Sequence, residues 1–303
     1  MCASINGFNP FNNIMKASDF CVNGKRTANP VDWWLSEKLD GMRAIYNGNV
    51  FLTRNSVELN SPEWFFNILP NDKLLDGELY FGRNKFEHTG VCRRSIVNDI
   101  EWLGCKYMIF DLIDTDTMFE DRLIILKEEL HKIQQRWDEY RKEYDGVLPK
   151  TCPVEIVEQT KVSSLEQATD IYKDLIKNKA EGIILRKPKS KYEVGRSSCL
   201  LKWKPVYDHD AIVVGYETGK GKNTGLLGSF IVHPLGEDGK KNMKRKSFKV
   251  GSGLSDFIRK NYLNESSSKA YHPIGTVICY KYRDVSREGK PRFPTYLRKR
   301  TDM

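Results

Sequence analysis

The 303-residue chain has no uninterrupted apolar run approaching the ~20 residues of a membrane span, so no transmembrane helix is expected. Its first residues, Met1 to Asn13, are polar and Asn-rich, without a basic segment followed by an apolar stretch, so no secretory signal is expected either. The seven cysteines (Cys2, Cys21, Cys92, Cys105, Cys152, Cys199 and Cys279) are scattered, odd in number and never spaced C-x-x-C. That argues against a zinc finger or a disulfide framework and for a reducing, intracellular compartment. Histidine is scarce, and neither His88 nor His131 has a partner at metal-ligand spacing. Lys220-Gly221-Lys222 lacks the G-x-x-x-x-G-K-[ST] of a Walker loop and reads as a basic loop instead. There are no internal repeats, and the only biased stretch is the basic segment from Lys240 to Lys249.

What is there is an ordinary soluble composition, 40% hydrophobic and 29% charged, with an unusual distribution of charge. Of the 49 Lys+Arg and 40 Asp+Glu, residues 207–303 carry 19 and 10, leaving 30 and 30 for residues 1–206. The whole formal charge of +9 therefore sits in the last third. Such asymmetry predicts two modules, 1–206 and 207–303, with the second facing a polyanion.

Alternation predicts a strand from Trp33 to Ala44, a second at Val50 to Thr53 and a third at Leu74 to Tyr80, where Asp76-Gly77 implies a bulge or a close backbone approach. Tyr107 to Leu112 reads as a buried strand. Leu123, Leu126, Leu130, Ile133, Trp137, Tyr140 and Tyr144 recur at spacings of three and four, predicting an amphipathic helix over 120–144. A second helix is expected from Ser164, with Gln167 completing a capping box, to about Lys179. Strands follow at Gly182–Leu185 and Leu200–Lys204. Beyond Pro205 come five short strands (211–216, 229–233, 247–250, 276–282 and 295–298) with one helix, about 255–262, between the third and fourth. That is the element order of an OB-fold barrel.

The most informative segment is K-L-D-G-M-R, Lys38 to Arg43. A lysine amine can attack, a glycine lets backbone approach a ligand closely, and an arginine can fork onto phosphate oxygens. The run resembles the nucleotide-attachment motif of the covalent nucleotidyltransferases: ATP-dependent DNA ligases, RNA ligases and mRNA-capping guanylyltransferases. Further segments follow in that family's order. Thr53-Arg54-Asn55-Ser56 resembles S-R-N-G, and Asp76-Gly77-Glu78 resembles D-G-E. Met108-Ile109-Phe110-Asp111 resembles the adenine-stacking strand. Glu181-Gly182-Ile183-Ile184-Leu185-Arg186 and Lys202-Trp203-Lys204 resemble the last two segments. S-E-K-L-D-G-M-R-A, L-D-G-E-L-Y-F-G-R and G-K-G-K-N-T-G-L-L-G look most similar to the small two-domain ATP-dependent DNA ligases of bacteria and viruses.

The resemblance implies an α+β adenylation domain with antiparallel sheets and flanking helices, followed by an all-β OB-fold barrel. It implies Lys38 as the residue that carries AMP, its amine made nucleophilic by desolvation and by nearby cations such as Lys202, Lys204 and a metal. Glu78 would accept hydrogen bonds from the ribose hydroxyls and Phe110 would stack on adenine, although core packing alone also accounts for a phenylalanine there. Glu181, together with Glu78, would hold Mg2+ or Mn2+. Lys202 and Lys204, alternating with Trp203, would share the triphosphate face. Arg43, Arg54 and Arg196 would contact phosphate at the nick, with Lys244, Arg245 and Lys246 contacting the duplex backbone. Asp40 could orient Lys38 or cap the Asp-Gly turn.

One segment departs from the pattern. The C-terminal R-x-D-K reads Arg300-Thr301-Asp302-Met303, without its lysine. The expected partner is nicked double-stranded DNA, met by a monomer without membrane association, in the cytoplasm or in a nucleus or viral factory. A capping guanylyltransferase or an RNA ligase of the same superfamily is the alternative, although Pro291–Arg298 is more similar to the final DNA-ligase strand than to the capping-enzyme ending. An NAD-dependent ligase is not expected, because no segment corresponds to a nicotinamide-binding domain.

Overall fold

Short aromatic and aliphatic runs bounded by Gly, Pro, Asn and Asp set the strand lengths throughout the chain. The computed structural model describes residues 9–20, 28–144, 147–236, 238–242, 245–286 and 288–301. The chain divides into two compact units, Met1–Lys204 and Pro205–Met303.

In the first unit, helix α1 (Pro10–Asn13) is followed by β1 (Met15–Asp19), β2 (Trp34–Glu37), β3 (Met42–Tyr46), β4 (Phe51–Thr53), β5 (Glu58–Leu59), α2 (Glu63–Phe66) and β6 (Leu75–Tyr80). Then come α3 (Asp99–Trp102), β7 (Lys106–Leu112), α4 (Phe119–Lys142), β8 (Val154–Ile156), β9 (Thr160–Lys161), α5 (Leu165–Lys177), β10 (Ile183–Arg186) and β11 (Gly195–Trp203). The strands form two mixed sheets, ordered β1-β11-β10-β2-β9 and β5-β4-β3-β6-β7-β8.

The expected continuous strand from Trp33 to Ala44 is broken in two. β2 pairs with β10 in one sheet and β3 with β6 in the other, so Lys38 lies in the loop that crosses between sheets. The break falls where Gly41 passes the neighbouring strand. A Cβ there would lie 2.5 Å from the Leu79 carbonyl oxygen and 2.6 Å from Glu78 Cγ. The glycine of the lysine motif thus permits close approach to the protein's own β6. The bulge read from Asp76-Gly77 is present as a register shift against β7, with the Tyr107 ring 2.5 Å from where a Gly77 Cβ would stand.

Helix α4 buries Leu123, Leu126, Ile133 and Trp137 against β7 and β8, while Tyr144 lies past its end, stacked on Tyr140. This packing accounts for the apolar stripe. At the start of α5, Ser164 Oγ accepts from Gln167 N (3.0 Å). The expected return bond lands one residue earlier, because Gln167 Oε1 accepts from Ser163 N (2.7 Å).

The second unit runs β12 (Tyr207–Thr218), β13 (Leu227–Pro234), β14 (Phe248–Val250), α6 (Asp256–Asn261), β15 (Val277–Tyr282), the small hairpin β16 (Asp284–Val285) and β17 (Pro291–Arg292), and β18 (Thr295–Lys299). Its main sheet has the order β14-β13-β12-β15-β18 around a core of Val213, Phe230, Val232, Val250, Ile278 and Tyr280. The expected closed barrel is not formed by this ladder. β14 is only three residues long, and past it the edges meet through one bridge, Ser252 to Thr295. Gly253, at φ +82°, follows this bridge in close contact with β18, where a Cβ would meet the Tyr296 carbonyl oxygen at 2.4 Å. The fold is OB-like and open.

Candidate active site

The loop carrying Lys38 is pinned to the start of β10, because Lys38 N donates to the Gly182 carbonyl (2.9 Å). This brings the lysine beside Glu181. Lys38 Nζ donates to Glu181 Oε2 at 2.6 Å, and Lys204 Nζ donates to Oε1 of the same carboxylate. One carboxylate therefore holds the ends of two segments 166 residues apart in number, the lysine motif and the terminal K-W-K. Strand alternation puts Lys202 on the same side as Lys204, with its Nζ 3.5 Å from Asp19 Oδ1. Trp203 points the other way and stacks on Tyr172, centroids 4.3 Å apart.

The three lysines face a cleft of about 840 Å³ within the first unit, while Glu181 is not among its lining residues. Lys38, Arg43, Glu78 and Phe110 line it, and Lys202, Lys204 and the exposed Arg54 and Arg196 surround them. Phe110 is partly accessible from this cleft, and the Arg43 guanidinium lies over its ring (5.5 Å to the centroid). Thr53 to Ser56 forms a tight turn in which Ser56, at φ +64°, occupies the place of the family's glycine. Arg196 Nη1 donates to the Ala17 carbonyl (3.0 Å).

Glu78 stands directly across from Arg43 on β6 and β3, and its Oε1 accepts from Gly41 N (3.2 Å). Burial pushes its carboxyl up to about 7, against the pull of Lys38 and Arg43 and with the help of the Glu181 charge. Arg43 forks onto Asp76 (Nε to Oδ1 2.8 Å, Nη2 to Oδ2 2.5 Å), and its Nη1 donates to the Met15 carbonyl (2.8 Å). Burial alone would lower its pKa, but Asp76 more than offsets this and raises it above the ordinary arginine range. The fork expected to reach phosphate is thus engaged by Asp76.

Several residues here had no assigned role in the sequence. Asp76 and Asp111 are register partners on β6 and β7. Asp111, fully buried, receives the Arg122 fork (2.7 and 3.1 Å) and Arg186 (2.6 Å). Tyr192 Oη donates to Asp76 Oδ2 (2.7 Å) and accepts from Met15 N (3.1 Å). The motif aspartates and the last arginine of E-G-I-I-L-R were visible signals, whereas Arg122 and Tyr192 carried none. Lys16 and Arg93 also line the cleft.

In the second unit, Lys246 is exposed and Arg245 partly so, while Lys244 lies outside the described residues. Arg300 Nη1 donates to Asp210 Oδ2 (2.6 Å), and Asp302 and Met303 lie outside the described residues. Among the described residues no helix is long and apolar enough to cross a membrane.

Two mixed sheets and a lysine-lined cleft, followed by an OB-like unit, make a nucleotidyltransferase architecture. The chain belongs to the ATP-dependent DNA ligase family: the profile described as ATP dependent DNA ligase domain matches residues 15–204, and that described as DNA ligase OB-like domain matches residues 218–300. It is 33% identical to a DNA ligase of Haemophilus influenzae over 272 residues, 89% of this chain and 88% of that one. A DNA ligase of Methanopyrus kandleri is 25% identical, but there the match spans only 37% of the relative's length. Among solved structures, a Lig E DNA ligase described as binding DNA with a minimal scaffold superposes with TM-score 0.72 and 29% identity, covering 95% of this chain and 99% of that one. A Chlorella virus DNA ligase-adenylate, 20% identical over 97% of this chain and 99% of that one with TM-score 0.50, shares the fold alone. The protein is an ATP-dependent DNA ligase.

Proposed function

We propose that this ligase, acting as a monomer, seals 5′-phosphate/3′-hydroxyl nicks in duplex DNA through lysyl-AMP on Lys38 and then a DNA-adenylate, in repair, replication or recombination. The observation that carries the reading is the pair Lys38 and Lys204, both held by Glu181, at a cleft also lined by Phe110 and Glu78. Lys38 Nζ, once free of its extra proton, attacks the α-phosphorus of ATP. A P–N bond forms, the bond from the α-phosphorus to the bridging oxygen breaks, and pyrophosphate leaves with the electron pair. Lys202 and Lys204 balance the charge that grows on the phosphate oxygens. Phe110 offers a ring face to adenine, and ionised Glu78 accepts from the ribose. The nick's 5′-phosphate oxygen then attacks the lysyl-AMP phosphorus, the P–N bond breaks and the Lys38 amine leaves, taking up a proton. The 3′-hydroxyl, losing its proton, finally attacks the 5′-phosphorus, and the bond from that phosphorus to the AMP oxygen breaks to release AMP.

Magnesium fits this donor set in one way. No group of three or more His, Cys, Asp or Glu able to hold a metal occurs among the described residues, and Glu181 and Glu78 both neighbour Lys38. One or two carboxylates completed by phosphate oxygens and water are how Mg2+ is ordinarily bound. Bound there, the ion supplies Lewis-acid stabilisation of phosphoryl charge. The first unit serves as the adenylation domain and the second, from about residue 207, as the DNA-closing domain. Five free cysteines among the described residues accord with an intracellular setting.

The test is incubation with α-labelled ATP or GTP and a denaturing gel, followed by sealing of a nicked duplex. Adduct formation is expected from ATP alone and only with Lys38 present. A GMP adduct, or an AMP adduct persisting in Lys38→Ala, would overturn the reading.

A further inference from the structure

Arg83 belongs to the F-G-R segment that follows β6, and it lies outside the groups described above. The turn that presents it is preorganised: Gly82 has φ +106° and Asn84 φ +59°, and Lys85 N closes back on the Gly82 carbonyl (3.3 Å). Only glycine takes the first of these conformations at no cost, and asparagine is among the few residues that tolerate the second.

From this turn the guanidinium makes three directed bonds. Nε donates to Glu37 Oε1 (2.8 Å), Nη2 donates to Glu37 Oε2 (2.7 Å), and Nη1 donates to the Asn178 carbonyl (3.0 Å). Glu37 immediately precedes Lys38. Asn178 caps the C-terminal end of α5, three residues before Glu181. The two groups that Arg83 grips therefore flank the two members of the Lys38–Glu181 pair. Its own segment begins just beyond β6, which carries Glu78. A bidentate Arg–carboxylate fork fixes orientation as well as distance, and a cation at a helix C-terminus is favoured by the helix dipole. Partial exposure, 35% for Arg83 and 21% for Glu37, makes this pair a poor source of global stability but no worse a geometric clamp.

We propose that Arg83 is a positioning residue for adenylylation of Lys38. It clamps Glu37 to the end of α5, so that the Lys38 amine and Glu181 keep their relative placement while the P–N bond to AMP forms and pyrophosphate departs. The inference rests on Lys38 being the residue adenylylated. Sealing of a nick that already bears 5′-AMP does not require Lys38 to attack, so it should not require the clamp.

The experiment compares Arg83→Gln, Arg83→Lys and Glu37→Gln in the full chain. It measures single-turnover adduct formation across ATP concentrations, sealing of a pre-adenylylated nick, and the unfolding midpoint. For Arg83→Gln, the maximal adduct rate should fall roughly 10- to 100-fold while the half-saturating ATP concentration stays near that of the parent. Arg83→Lys keeps the charge but loses the fork, and should resemble Arg83→Gln more than the parent. Pre-adenylylated sealing should persist in both. Glu37→Gln removes the other partner and should show the same split, which answers the question even if an Arg83 variant folds poorly. Adduct formation at the parent rate in these variants, or equal losses on both steps, would overturn the clamp. An adduct persisting in Lys38→Ala would instead remove the reading on which it rests.

Discussion

Lys38 Nζ lies 2.6 Å from Glu181 Oε2, so the proposed nucleophile is held by the carboxylate proposed to bind the metal. An ammonium donating to a carboxylate has no lone pair to offer, so attack requires the proton to leave, either to Glu181 or to water once Glu181 is drawn aside. A cation arriving between the phosphates and Glu181 would compete with both Lys38 and Lys204 for its two oxygens. In that reading, metal binding at Glu181 would also release the nucleophile.

Glu181→Gln should separate these functions. The amide cannot balance two ammonium groups or bind Mg2+ strongly, so adduct formation should fall by about 10²- to 10³-fold. Raising the metal concentration or substituting Mn2+ should restore part of it. Glu78→Gln should also lose activity but show little such response if, of the two carboxylates, Glu181 holds the ion and Glu78 the ribose. The same metal response in both variants would remove the distinction.

Protonation of Glu78 makes a two-sided pH prediction. With its carboxyl pushed up to about 7, the form able to accept two ribose hydrogen bonds grows in as pH rises through 7, and ATP affinity should rise with it. Stability should move the opposite way. Between the ordinary carboxylate range and about 7 the folded state keeps a proton that the unfolded chain has lost, so this group's contribution declines as pH rises across that window. Glu78→Gln should flatten both dependences, as seen by ATP titration and by denaturant midpoints from pH 5 to 8. An unaltered ATP profile in the variant would assign the pH dependence to another group.

Local chemistry was legible in the chain where it was local. The α4 stripe, the Gly77 bulge and the five OB-like strands around one helix all follow from spacing that the folded chain keeps. What escaped detection depends on long-range pairing. Alternation from Trp33 to Ala44 cannot reveal that the chain leaves one sheet at Glu37 and enters another at Met42. Nor does an arginine in K-L-D-G-M-R announce that its fork will be met by Asp76, 33 residues on. Barrel closure differed for a similar reason: strand count was readable, but the three-residue length of β14 and the bridge from Ser252 to Thr295 beyond it were not.

The buried network should be costly to break. Asp111 and Arg122 are both fully buried, and Arg186 nearly so. Asp111→Asn leaves two arginines without their counter-charge, and a loss of about 3–5 kcal/mol in unfolding free energy is expected from denaturant melts. Arg122→Met, which removes a buried charge but leaves Asp111 paired with Arg186, should cost less. Equal losses would mean that packing against Phe119 and Tyr192, and not charge balance, sets the value.

The last prediction concerns the charge of the second unit, which holds 19 Lys+Arg against 10 Asp+Glu. If this unit grips DNA through phosphates, binding releases condensed counterions and log K falls linearly with log salt. Each phosphate contact removed should reduce the slope by roughly 0.9. Lys244, Arg245 and Lys246 crowd the segment between β13 and β14, and neutralising all three should flatten the salt dependence and weaken nick binding. Adenylylation of Lys38 should hardly change, because the cleft is lined entirely by residues of the first unit. The competing explanation is that these charges only keep the protein soluble. It predicts an unchanged slope in the triple variant, and titration of a nicked duplex across salt concentrations decides between the two.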